Sequence, residues 1–187
     1  MLLVVLSAAL GACKSKPSPL LADAAPPPSF ADRKDKGASL EIDETWRAAM
    51  DGDPVDLARL ADREGAIGLL EVMEQGGEPA RTALHALPEA DDAELALRRL
   101  GEIALQTDEP VRQDVVDVIE RIAARPLTQT EVLDATGARA CADAMLELAR
   151  NPKVKKDTRA KAISALRRMV DRLVVDPKQI PTELDPS

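Results

Sequence analysis

The chain has 187 residues, a formal net charge of −8, one histidine, two cysteines and 1% aromatic residues. A zinc site needs three or four nitrogen or sulfur ligands, and His85 and Cys141 stand alone and far apart, so no metal is expected. With Trp46 and Phe30 as the only aromatics, a core must be filled by Leu, Ile, Val, Met and Ala, which suits close-packed helices and fits strands poorly.

The chain opens on an apolar run, Leu2, Leu3, Val4, Val5, Leu6, Ala8 and Ala9, that ends in Leu10-Gly11-Ala12-Cys13. The run is shorter than the ~20 residues that span a bilayer, and its small terminal residues suit a secretory signal. These residues resemble a bacterial lipoprotein signal ending in a lipobox: Leu10 three positions before the cysteine, then Gly11, Ala12 and Cys13. The resemblance implies that residues 1–12 are a signal peptide removed before Cys13. It also implies acylation of the Cys13 thiol and of the new amino terminus, because two or more acyl chains hold a protein at a membrane where one does not. Lys14, standing where an aspartate would imply retention at the inner membrane, points to the outer membrane of the cell envelope, on its periplasmic or outer surface.

Residues 13–40 follow as a lipidated, proline-rich linker, with Pro17, Pro19 and the run Pro26-Pro27-Pro28 among Ser, Ala, Asp and Lys. Such a segment buries too little apolar surface to offset the entropy of ordering it, and its prolines favour extended backbone. A tether is expected here. At up to ~3 Å per residue, its reach is tens of ångströms.

The folded domain is expected over 41–175, with a flexible tail over 176–187 carrying Pro177, Pro181 and Pro186. Charge divides unevenly along it. Residues 41–125 contain 21 acidic and nine basic side chains, whereas residues 150–172 contain nine basic and two acidic ones.

Within the domain, helix-length apolar stripes of two kinds alternate. Ala66 to Glu74, Asp92 to Leu105 and Ala138 to Ala149 form the first kind; Ala93, Leu97, Leu100 and Ala104 show its spacing of four, three and four. The second kind opens on a turn and a base: Pro79-Ala80-Arg81 before Leu84 and Leu87, Pro110-Val111-Arg112 before Val115, Val118, Ile119 and Ile122, and Asp157-Thr158-Arg159 before Ile163, Leu166, Val170 and Leu173. Proline suits a first helical turn, Asp108 is positioned to cap the helix after Pro110, and Gly76-Gly77 reads as a turn. Ile42 to Met50 and Pro54 to Ala61 form a leading, atypical pair, and Pro126 to Gly137 an inserted loop or short helix.

Paired helices whose second member opens on Pro-Val-Arg resemble HEAT repeats, and Asp108-Glu109-Pro110-Val111-Arg112 carries the likeness most fully. The resemblance implies an all-α fold, a short α-solenoid of stacked antiparallel helix pairs that binds other macromolecules. An irregular helical bundle is the alternative.

No catalytic constellation stands out. His85 has no second histidine or evident nucleophile to work with, Cys141 falls on the stripe Ala138, Cys141, Met145, Leu148 as a small buried hydrophobe, and Asp91-Asp92, Asp108-Glu109 and Asp114/Asp117 sit where capping and solvation explain them. The basic residues Arg150, Lys153, Lys155, Lys156, Arg159, Lys161, Arg167 and Arg168 form the candidate binding surface, with a solvated terminal helix as the plainer reading. An exported chain without aromatic stacking groups is not expected to bind nucleic acid. The expectation is a noncatalytic interaction or scaffold module for an unidentified envelope protein, held at the membrane through its lipid anchor, with no cofactor and no small-molecule substrate. The alternatives are a module that binds anionic envelope surfaces through 150–172, and an enzyme related to the HEAT-repeat lyases that attach bilin pigments.

Overall fold

The computed structural model describes residues 42–125, 135–170 and 175–182, all within one of the chain's two contact units, Leu40–Ser187. The expectations for Cys13, the signal, the tether and the loop from Pro126 lie outside the described residues, except that residues 135–137 form the first turn of a helix.

Among the described residues the regular structure is helical, with no strand. The helices are α1 (Glu44–Met50), α2 (Pro54–Gln75), α3 (Gly77–Ala86), α4 (Leu97–Gln106), α5 (Val111–Ala124), α6 (Ala135–Arg150) and α7 (Lys156–Val170), with single 3-10 turns at Leu87–Glu89, Ala93–Ala96 and Pro177–Gln179. Local chemistry explains the first starts. Asp43 caps α1 by accepting from the Trp46 amide at 3.0 Å, and Asp53 caps α2 by accepting from the Val55 amide at 2.8 Å, with Pro54 at the first helical position.

α2 is broken at Gly65, whose φ of 65° and ψ of 173° interrupt the helical path. Glycine takes this left-handed φ at little cost. The break leaves the Ala66 amide without an acceptor in its own helix, and the Asp92 carboxylate supplies one at 2.8 Å from 26 residues away. The two halves correspond to the separate stripes read from the sequence. Gly76 (φ 78°) and Gly77 (φ 79°) then make the turn into α3, as expected.

The cap expected from Asp108 is corrected. α5 begins at Val111 with Pro110 as its N-cap and no side-chain cap bond, while Asp108 contributes its backbone carbonyl, which accepts from the Arg112 amide at 3.0 Å. The helix starts two residues too late for Asp108 to stand at its N-cap, the position from which a side chain reaches the orphan amides. The stripe from Asp92 is also shorter as α-helix than expected, because its first turn is 3-10.

α4 packs on α5 and α6, α5 on α7, α6 on α7, and α2 on α3, with α1 against α2 and α3. Directions follow from cross-contacts. Glu109 meets Thr158, Asp117 meets Lys161 and Glu120 meets Ser164, so α5 and α7 run the same way. Ala66 meets Asp92 and Glu74 meets Arg99, so the second half of α2 runs with the segment leading through α4. Arg112, in the first turn of α5, reaches back to the carbonyls at the end of α4 and ties the two helices together at their connection.

Aliphatic side chains fill the core, with Leu60, Leu69, Leu97, Leu100, Ile119, Ile122, Met145, Leu166 and Met169 buried, and Trp46 sealed at the α1 end. Each such side chain removed from water contributes about 1.5–3 kcal/mol. Alanines and one glycine allow the close approaches: a Cβ on Gly101 would meet the Cys141 Cα at 3.0 Å and the Ala144 Cβ at 3.3 Å.

The described part of the segment expected as a tail, residues 176–182, follows a residue of the domain core and touches the domain. Val175 is buried, Ile180 packs against the core, and the Gln179 carbonyl accepts from Arg150 Nη2 at 2.9 Å. Asp176 caps the 3-10 turn by accepting from the Lys178 amide.

Candidate functional site

The basic segment is built from the end of α6, the turn after it, and α7. Asn151 shapes the turn, its side chain accepting from the Lys153 amide at 3.0 Å, while Val154 buries its side chain beneath. This leaves Arg150, Lys153, Lys155 and Lys156 exposed on one short stretch. None of the three lysines has an ion-pair partner among the described residues. Beside them lies a shallow, open depression lined by Asp143, Leu146, Glu147, Arg150, Asn151 and Pro152.

The rest of the segment divides. Arg167 and Arg168 are exposed in the last turn of α7, and Arg167 borders a second depression closed by Pro177, Ile180 and Pro181. Lys161 is half-buried and pairs with Asp117 of α5. Arg159 is corrected outright: it is 3% exposed and belongs to the interior. Its place four residues before Ile163 on the buried stripe carried that signal in the sequence. A charge on an apolar stripe reads as a core residue before it reads as surface.

Arg112 is the residue that sequence reasoning undervalued. Placed three residues before Val115 at the head of the α5 stripe, it donates through Nε to the Ala104 carbonyl at 3.0 Å and through Nη2 to the Thr107 carbonyl. These are carbonyls at the end of α4 that no amide of that helix reaches. A guanidinium is suited to this because its donors form a rigid fork. Arg81, at the matching position of α3, is exposed.

Most of the carboxylates considered for catalysis, and Glu120 with them, are used structurally or left in solvent, while Asp114 is half-buried. Asp92 caps Ala66, Glu109 accepts from Thr158 Oγ1 at 2.8 Å, Asp117 pairs with Lys161, Glu120 accepts from Ser164, and Asp91 and Asp108 are exposed. His85 is half-buried in the last turn of α3. Glu89 to Arg121 at 2.7 Å joins the Leu87–Glu89 turn to α5, and Asp117 to Lys161 joins α5 to α7, so charges of both signs stand on these elements. Among the described residues no group of three His, Cys, Asp or Glu is placed to hold a metal ion, and no helix is long and apolar enough to cross a membrane.

Cys141 and Asp43 are among the titrating groups displaced from their ordinary values. Burial pushes the Cys141 thiol up to about 12, which suppresses the nucleophilic thiolate. The Trp46 amide, donating to the exposed Asp43 carboxylate, holds that group below the usual carboxylate range. No family model, no curated protein and no solved structure matches the chain.

Proposed function

We propose that the chain is a noncatalytic interaction module of the bacterial cell envelope, anchored through a lipid on Cys13 and displayed on the proline-rich tether. Support for the anchor comes from Leu10-Gly11-Ala12-Cys13 and the apolar run before it. The module is a short solenoid of helix pairs: the second half of α2 with α3, α4 with α5, and α6 with α7. Like-directed packing of α5 with α7, and the packing of α4 on α5 and of α6 on α7, support that architecture. The observation that carries the noncatalytic reading is the commitment of the polar groups: Asp92, Glu109, Asp117, Glu120 and Arg112 all bind neighbouring elements.

Crosslinking in intact envelopes tests this reading. It predicts that the full chain is recovered joined to one or a few envelope proteins, and recovery free of any partner contradicts it.

A second reading, adsorption to anionic envelope surfaces, is favoured by the exposed run Arg150, Lys153, Lys155 and Lys156. It predicts adsorption of the full chain to anionic vesicles that weakens as salt screens the charges. Adsorption unchanged by salt contradicts it.

A further inference from the structure

α2 is two helical halves joined at one residue, and the bend between them rests on two local devices. Gly65, at φ 65° and ψ 173°, holds a conformation that other residues occupy only at a cost. Backbone conformation, not space, selects glycine there, since an added Cβ would stand 3.4 Å from Asp92 Oδ2, an ordinary contact. Asp92 is the second device, because it gives the Ala66 amide its acceptor. In a straight helix the Asp62 carbonyl, four residues back, would accept from that amide instead, so straightening loses no hydrogen bond there.

The described residues before Gly65 form one unit: α1 packs on α2, and Arg63 pairs with Asp43, the cap of α1. Their buried side chains Trp46, Ala49, Leu60 and Ala61 belong to the same core cluster as Leu69 and Leu84 beyond the bend. Helix geometry decides where this unit goes when α2 straightens. Leu60 and Leu69 are nine positions apart, which at about 100° per residue puts them on opposite sides of a straight helix. With Leu69 kept in the core, Leu60 then faces away from its own domain. The surface that fits Trp46, Ala49, Leu60 and Ala61 is the seat they have left, and on that far side only another molecule offers it.

We infer that Gly65 is a hinge and that residues 43–64 are a flap which two copies of this chain exchange, each flap closing the core of the other. The exchanged pair keeps the contacts between flap and seat, so it differs from two monomers at the hinge and in the freedom lost on association. Gly65 and Asp92 hold the flap at home by favouring the bend. The exchange stands apart from the interaction-module reading, which needs no second copy, so the two fail separately.

Sedimentation of the full chain in non-ionic detergent tests this with Gly65→Ala, which penalises the bend and favours the straight helix. Dimer is expected at concentrations where the wild type is mostly monomer, with the association constant raised about a hundredfold, roughly tenfold for each of two hinges. Trp46, the only tryptophan, is expected to stay as shielded from acrylamide in the dimer as in the monomer. Asp92→Ala keeps the glycine but removes the cap, and shifts the equilibrium the same way by a smaller factor. Adding Ile67→Pro to Gly65→Ala restores the monomer: Ile67 is 52% exposed in the first turn after the bend, where proline is tolerated, but it lies in the interior of a straight helix, where proline is not. Circular dichroism verifies the helix content of each variant. A folded Gly65→Ala that stays monomeric overturns the inference, as does, where that variant fails to fold, an Asp92→Ala that associates no more than the wild type. A dimer that leaves Trp46 open to quencher, or that survives Ile67→Pro, overturns it too.

Discussion

The Cys141 Cα lies 3.0 Å from where a Cβ on Gly101 would stand, so α4 and α6 cross with backbone almost against backbone. Helix propensity alone favours Gly101→Ala by about 1 kcal/mol. Overpacking against a backbone atom that cannot swing aside costs about 1–3 kcal/mol, and this term wins. Gly101→Ala therefore destabilises the domain, read as a lower denaturation midpoint in urea. A raised midpoint would mean that α4 and α6 do not cross here.

Arg112 joins the start of α5 to the end of α4 through the carbonyls of Ala104 and Thr107. Removing the donors leaves partly buried carbonyls unpaired, at about 1–3 kcal/mol. Arg112→Ala is expected to lower the urea midpoint by that order, and Arg112→Lys to recover only part of it because an ammonium lacks the fork. Full recovery by lysine would show that charge alone, not the paired geometry, matters.

Asp92 satisfies the Ala66 amide exposed by the break at Gly65. Asp92→Ala is expected to cost about 1 kcal/mol, as the loss of a helix cap does, and Asp92→Asn much less. Amide hydrogen exchange at Ala66 reads the effect directly, with faster exchange in the alanine variant. Unchanged exchange contradicts the cap.

The Cys141 thiol is fully buried, and its folded pKa is raised from 9.0 to about 12. The folded state thus holds a proton that the unfolded state loses as pH rises past 9.0. The contribution is complete below that pH and falls through the window from 9.0 to about 12, with a limiting slope of about 1.4 kcal/mol per pH unit. Subtracting the curve of Cys141→Ala isolates it. The same burial predicts that maleimide labels Cys141 only after denaturation, and rapid labelling of the folded chain would refute the packing.

Much of the helix pattern was legible because punctuation and period are local. Gly76-Gly77, Pro54, Pro110 and the stripes through Leu97, Leu100 and Ala104 marked elements close to where they form. What escaped depends on partners distant in sequence. Asp92 capping Ala66 spans 26 residues, and the pairing of Lys161 with Asp117 spans 44, so neither leaves a local trace. Arg159 was misplaced on the surface because composition counted its charge while its stripe position indicated burial. The basic surface is therefore smaller than composition suggested, centred on Arg150, Lys153, Lys155 and Lys156 with Arg167 and Arg168 apart from it.

The account turns on Cys13, to which the anchor, the tether and the envelope location all refer. Fractionation of cells carrying the full chain and its Cys13→Ser variant is the most direct measurement. The wild type is predicted in the membrane fraction, resistant to salt and released by detergent, and the variant in the soluble fraction. Retention of Cys13→Ser in the membrane to the same extent as the wild type would contradict lipid anchoring and, with it, the proposed place of this domain at the envelope surface.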